Sequence, residues 1–145
     1  MEEGGGTMVL YLRKRPEGGL LIVKDDGIET FAGSPNAWCD SIALRRLSTR
    51  AAAQAAAAKV LSTRRLVPLF LDAGTMMVPL GGFRSEGCLL LNAFAISACA
   101  SRPDGGATAR FRDGTRLEVP SAAVLRRGMR LSARLLRHLT ASGNE

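Results

Sequence analysis

Ala107-Thr-Ala-Arg-Phe-Arg-Asp-Gly-Thr-Arg-Leu-Glu-Val119 reads as a β-hairpin, and the rest of the chain is read outward from it. Phe111, Leu117 and Val119 point one way and Arg110, Arg112, Arg116 and Glu118 the other, as in a strand with one buried and one solvated face. Asp113-Gly114 supplies the turn. A two-residue loop would set Phe111 opposite Arg116 and mix the faces. A three-residue loop, Asp113 to Thr115, sets Phe111 opposite Leu117, Ala109 opposite Val119, Arg110 opposite Glu118 and Arg112 opposite Arg116. That register is expected, because a one-residue slip would turn arginine into the core. Facing like charges weaken a hairpin by roughly 0.2–1 kcal/mol. The arrangement fits either a plain solvated face or a surface prepared for an anion.

The 145 residues suit one domain with a real core, expected over 8–140 between flexible ends at 1–7 and 141–145. Hydrophobic residues make up 46% and charged residues 23%, so the chain should fold. The net charge is +7, and Lys14, Lys24 and Lys59 are the only lysines. Arginine's planar fork suits phosphate better than a lysine point charge, so the balance leans toward nucleic acid or another polyanion.

Cys39, Cys88 and Cys99 are odd in number and widely spaced, with no CxxC and a single histidine, His138. Zinc and a disulfide scaffold are both disfavoured, leaving reduced thiols in a cytoplasmic protein with no cofactor. Met1-Glu-Glu-Gly-Gly-Gly6 is unlike a signal peptide. The longest apolar run, Cys88 to Ala100, is too short and too polar at Asn92 to span a bilayer, so no membrane partner is expected.

In chain order, Met8 to Leu12, Leu20 to Val23 and Ile28 to Phe31 read as a three-stranded meander, with Arg13, Lys14 and Arg15 as a basic cluster at a loop tip. Ser34-Pro35 opens a helix to about Leu47, with Phe31 or Ala32 placed to staple against Trp38. A second helix, Ala51 to Leu61, follows Ser48-Thr49; seven of the eight residues Ala51–Ala58 are alanine, so it packs tightly or lies partly exposed. Arg64-Arg65 leads into a strand over Leu66 to Leu71, where Pro68 calls for an edge or a strand start. Thr75 to Leu80 is a strand broken by Pro79, and Gly81 to Gly87, with Arg84, is a loop. Cys88 to Ala98 reads as one continuous apolar strand. The fold class expected is α+β: an antiparallel β-sheet core with two central helices and a C-terminal amphipathic helix.

That last helix runs from Ser121, a good N-cap, to about Leu139. At about 100° per residue, Val124, Leu125, Met129, Leu131, Leu135, Leu136 and Leu139 share one broad arc. Arg126, Arg127, Arg130, Arg134 and Arg137 share another. Arg130 stands three or four residues from Arg126, Arg127 and Arg134 with no acidic residue to relieve the repulsion. The helix dipole accounts for cations in the last turn but disfavours Arg126 and Arg127 in the first turns. The face fits either a polyanion surface or a merely solvated face.

The order of these features resembles the ComK family of bacterial competence transcription factors over about Ser34 to Leu136. The resemblance is carried by Ser34-Pro35 and Ser48; by Val60-Leu61 before Pro68; by Pro79, Cys88 and Ile96 at intervals of nine and eight residues; and by Phe111-Arg-Asp-Gly114, Leu117, Ser121, Arg130, Leu135 and Leu136. The chain departs from the family at Ala52-Ala53, where a Gly-Arg pair is usual. It departs also at Leu90, where an aromatic is usual, and at Arg127, where a glutamine is usual. The resemblance implies an activator of DNA-uptake genes that binds AT-rich double-stranded DNA largely through the minor groove, acts as a homo-oligomer and is controlled by a proteolytic adaptor.

The candidate DNA-binding residues are Arg110, Arg112 and Arg116 on the hairpin and Arg126, Arg127, Arg130, Arg134 and Arg137 on the terminal helix. Phosphate contacts would supply affinity and salt dependence, and arginine in a narrow AT-rich minor groove would read its width. No nucleophile–histidine–acid set, phosphate loop or carboxylate pair points to an enzyme. The alternatives are an RNA-binding module, for which exposed stacking aromatics would be needed, and a protein-interaction domain that has lost DNA binding.

Overall fold

A computed structural model describes residues 7–81 and 87–143. Strands β1 (Val9–Lys14), β2 (Leu20–Lys24) and β3 (Gly27–Phe31) form the expected antiparallel meander. β1 runs further than the sequence suggests. Arg13 lies opposite both Leu21 and Leu89, and Lys14 opposite Leu20, so pairing on both sides draws these residues into the strand. Of the basic cluster only Arg15 sits in the turn, ion-paired with Glu17 at 2.7 Å.

Helix α1 (Pro35–Ala43) is capped by Ser34, whose hydroxyl accepts from the Ala37 N–H at 3.1 Å. It ends earlier than Leu47. Leu44–Arg46 tighten into a 3-10 turn and Leu47 turns left-handed (φ 60°), so its N–H reaches the Leu44 carbonyl and that of Ser48 reaches Ala43. Helix α2 (Arg50–Leu61) is capped by Thr49. The next strand, β4 (Leu69–Asp72), begins after Pro68 rather than at Leu66, because Leu66 is itself left-handed (φ 48°). β5 (Thr75–Pro79) ends at its proline, and β6 (Leu89–Asn92) follows. Of the expected glycine-rich loop, residues 82–86, with Arg84, lie outside the described residues. All pairings are antiparallel, in the order β3-β2-β1-β6-β5-β4, so β4 is an edge as Pro68 requires.

The expected single strand from Cys88 to Ala98 is two strands. β6 stops at Asn92, a 3-10 turn (Ala93–Ala95) follows, and β7 (Ile96–Ser101) enters a separate three-stranded sheet with β8 (Ala107–Phe111) and β9 (Arg116–Val119). The cause is the Asn92 amide, which is fully buried. Its Oδ1 accepts from the Met76 and Phe94 N–H groups (3.0 and 3.2 Å), and its Nδ2 donates to the Val9 and Gly74 carbonyls (2.8 and 2.9 Å). An amide with both donors and both acceptor positions used makes one rigid joint of β1, β5 and the turn.

Neighbouring residues on the six-stranded sheet separate its two faces. Leu12, Ile22, Met77 and Leu90 meet Trp38, Cys39 and Ile42 of α1. A bulge in β1 turns both Leu10 and Tyr11 to the other face. There, with Val23 and Leu91, they meet the inner side of the small sheet (Ala107, Ala109, Phe111, Val119) and the start of helix α3 (Ala122–Gly143). Tyr11 and Phe111 stack at 5.7 Å. α3 approaches β5 so closely that a Cβ on Gly128 would lie 2.3 Å from Val78 Cγ1. Further along, Leu131 and Leu135 pack with Ala57 and Leu61 of α2 and Met76 of β5. The alanine helix thus packs tightly on one side and stays exposed on the other, at Ala51, Ala52, Ala55 and Ala56. The small sheet and α3 therefore lie on one side of the large sheet, opposite α1, and their outer faces look away from it.

Candidate nucleic-acid interface

The hairpin keeps its expected faces but not its expected register. Ala107, Ala109, Phe111 and Val119 are buried, and Arg110, Arg112, Arg116 and Glu118 are exposed. Ala109 lies opposite Leu117, Thr108 opposite Glu118 and Arg110 opposite Arg116. Phe111 therefore does not face Leu117, nor Ala109 Val119, nor Arg110 Glu118, nor Arg112 Arg116. The three-residue loop is Arg112–Gly114, closed by the Phe111 N–H to the Thr115 carbonyl (2.8 Å) and the Gly114 N–H to the Phe111 carbonyl (3.0 Å). Gly114 takes the left-handed position (φ 93°), and the Asp113 carboxylate accepts from the Thr115 N–H and hydroxyl, both at 2.9 Å. A shift of two residues preserves the faces, so alternation alone could not choose between these registers.

The facing like charges are real, with Arg110 in place of Arg112. Cross-strand neighbours stand about 4.5–5.5 Å apart at Cβ. Glu118 is drawn away from them: its carboxylate lies 3.7 Å from Arg102, whose guanidinium also donates to the Ala107 carbonyl at 2.9 Å. Arg102 is thus a clasp across the base of the hairpin. Its neighbour Asp104 has a carboxyl held below its ordinary range by the Gly106 N–H first and by Arg102 second.

On α3 the N-cap is Ser121, accepting from the Val124 N–H at 3.2 Å. Arg126, Arg130, Arg134 and Arg137 are exposed and Arg127 is half-buried. Two of them reach neutral oxygens: Arg126 donates to Ser101 Oγ at 2.6 Å, and Arg127 to Thr63 Oγ1 at 3.2 Å. Among the described residues none of the eight candidate arginines is ion-paired, whereas Arg15, Lys24 and Arg102 are. His138 is exposed near the helix end.

The Arg127 bond points to cations that sequence reading passed over. Thr63 precedes Arg64 and Arg65, both exposed. With Arg50 and Lys59, Arg64 borders a groove of about 930 Å³ floored by Ala51, Ala55 and Ala58. The Arg64-Arg65 pair between a helix and a proline was the available signal.

Burial pushes the Cys39 thiol up to about 12 and raises that of Cys88, so neither is poised as a nucleophile. Among the described residues no group of three or more His, Cys, Asp or Glu side chains could hold a metal ion, and no helix is long and apolar enough to cross a membrane. No family model, curated protein or solved structure matches the chain.

Proposed function

We propose that this protein is a DNA-binding regulator of transcription that grips duplex phosphates with its arginines. The observation that carries the reading is the Arg110–Arg116 pair: two exposed cations held face to face, with neither ion-paired among the described residues, on the same side of the large sheet as the arginine face of α3. A phosphate oxygen between such groups replaces mutual repulsion with two charge-assisted hydrogen bonds. Arg130, Arg134 and Arg137 extend the contact, and arginine in a narrow AT-rich minor groove adds a preference for shape. The roles of activator, homo-oligomer and adaptor substrate rest on the resemblance to the ComK family.

RNA recognition is less favoured because, among the described residues, every Phe, Tyr and Trp ring is buried or half-buried, leaving few faces on which bases could stack. Electrophoretic shift of the purified protein on AT-rich duplex, GC-rich duplex and single-stranded RNA, with salt titrated, tests the reading. Tightest retention of the AT-rich duplex is expected. Tighter retention of the RNA would support an RNA-binding module, and no retention of any nucleic acid at low salt would support a protein-interaction domain.

A further inference from the structure

Open sheets end in edges whose backbone groups can pair with another chain, and proteins guard them with charge, proline, brevity or cover. The two sheets here have four edges, and three are guarded. β3 carries Glu29, ion-paired with Lys24 at 3.0 Å. β4 has four residues, follows Pro68 and lies against α2. β9 has four residues, exposes Arg116 and Glu118, and is followed by Pro120.

β7 is different. It has six residues, Ile-Ser-Ala-Cys-Ala-Ser, with no charge and no proline, and Ser97 to Ser101 are all exposed. α3 touches its end through the Arg126 bond to Ser101 Oγ. A bulge lies between Ile96 and Ala98, and the strand is regular from Ala98 to Ser101.

We propose that β7 is a self-pairing edge, joining a second copy of this chain in antiparallel fashion about a two-fold axis at Cys99. An axis perpendicular to a sheet must pass between a residue and its own counterpart, since opposed residues share a face. Centring it on Cys99 sets Ala98 against Ala100 and Ser97 against Ser101. Every pair is small and neutral, so the strand has no electrostatic objection to itself, and the charge that would bar self-association on β9 is missing. The two small sheets become one of six strands. On its outer face the shallow hollow bordered by Arg110 and Arg116 in each copy, about 360 Å³, meets its counterpart. The two Arg110 strands then lie three strand spacings apart, about 14 Å. Pairing of one short strand covers less than a standard interface, so the dimer is reversible and concentration-dependent.

The inference does not need DNA, and its test uses none. Cys99 is the exposed cysteine, while Cys39 and Cys88 are buried. Opposed strand residues lie within disulfide reach. Sedimentation velocity under reducing conditions should show a dimer fraction that grows with protein concentration. Diamide, which takes two electrons and two protons from a pair of thiols, should then link the full-length protein through Cys99, and Cys99→Ser should abolish the link. Ala100→Lys places two lysines beside the axis and should raise the dimer dissociation constant roughly tenfold or more, equivalent to about 1.4 kcal/mol. Its circular dichroism, and its thermal midpoint at a concentration where the parent is monomeric, should match the parent. A parent protein that stays monomeric at its highest soluble concentration, a dimer that Ala100→Lys leaves undiminished, or one that diamide fails to link through Cys99 overturns the proposal.

Discussion

Arg110 and Arg116 are set opposite one another by strand pairing, whereas Arg130, Arg134 and Arg137 stand along one exposed face of a helix. In the hairpin the backbone fixes the separation, and the repulsion is tolerated because Phe111, on the reverse face, stacks on Tyr11. On α3 the spacing follows the helical turn, and the repulsion is tolerated because Gly128 seats the helix on Val78 while Leu131 and Leu135 bind it to α2. Like charges therefore collect where packing on the opposite face is strong enough to hold them. The two sets differ in what would dislodge them. The hairpin hangs from the joint at Asn92, and α3 additionally from the close approach at Gly128.

The largest effect should come from Asn92→Ala, which strands four backbone groups, three of them on the buried or half-buried residues Val9, Met76 and Phe94. A loss of about 3–5 kcal/mol is expected, read as a fall in the urea midpoint, because each unsatisfied buried group costs roughly 1–3 kcal/mol with partial recovery through water. Both arginine sets should be disturbed together. Gly128→Ala should separate them. Its methyl would press on Val78, and repacking should cost about 1–3 kcal/mol by the same measurement, while the hairpin amide signals in an NMR spectrum stay in place.

Charge reversal sharpens the comparison further. Arg110→Glu and Arg130→Glu should each weaken duplex binding about tenfold, near 1.4 kcal/mol, by anisotropy titration. Each should also stabilise the free protein slightly. Arg110→Glu exchanges a repulsive cross-strand pair for an attractive one, worth roughly 0.5–1 kcal/mol. Arg130→Glu gains helix pairs with Arg126 and Arg134 of roughly 0.2–0.5 kcal/mol each. A higher melting temperature with lower affinity would mark these arginines as placed for a ligand rather than for the fold.

The smallest effect concerns pH. The Asp104 carboxyl is depressed in the folded chain, so its stabilisation is present above its ordinary value and is lost as pH falls through the depressed folded value. Asp104→Asn should flatten that part of the acid-unfolding profile and leave stability at pH 9 and pH 7 in the same relation to one another.

Much of this was legible in the sequence because it is local. Ser34, Thr49 and Ser121 cap their helices as their positions require, and the two faces of the hairpin and of α3 follow from periods of 2 and 3.6. The misreadings share a different cause. Cys88 to Ala98 looks continuous because Asn92 acts through Val9, Gly74 and Met76, which are distant in the chain. The hairpin register is set by the turn around Gly114, which keeping arginine out of the core does not specify. Arg127 gave no sign that it would reach Thr63, and the Arg64-Arg65 pair signalled exposed cations but not that Arg64 would border a groove.

The most direct test is the salt dependence of binding to an AT-rich duplex, measured for the parent protein, for Arg110→Glu with Arg116→Glu, and for Arg130→Glu with Arg134→Glu. The parent should show a steep linear fall of log K with log salt. Each double reversal should reduce the slope by roughly 1.8, the loss of two phosphate contacts at about 0.9 each. A slope near zero in the parent, or one that neither double variant changes, would contradict the assignment of these arginines to DNA.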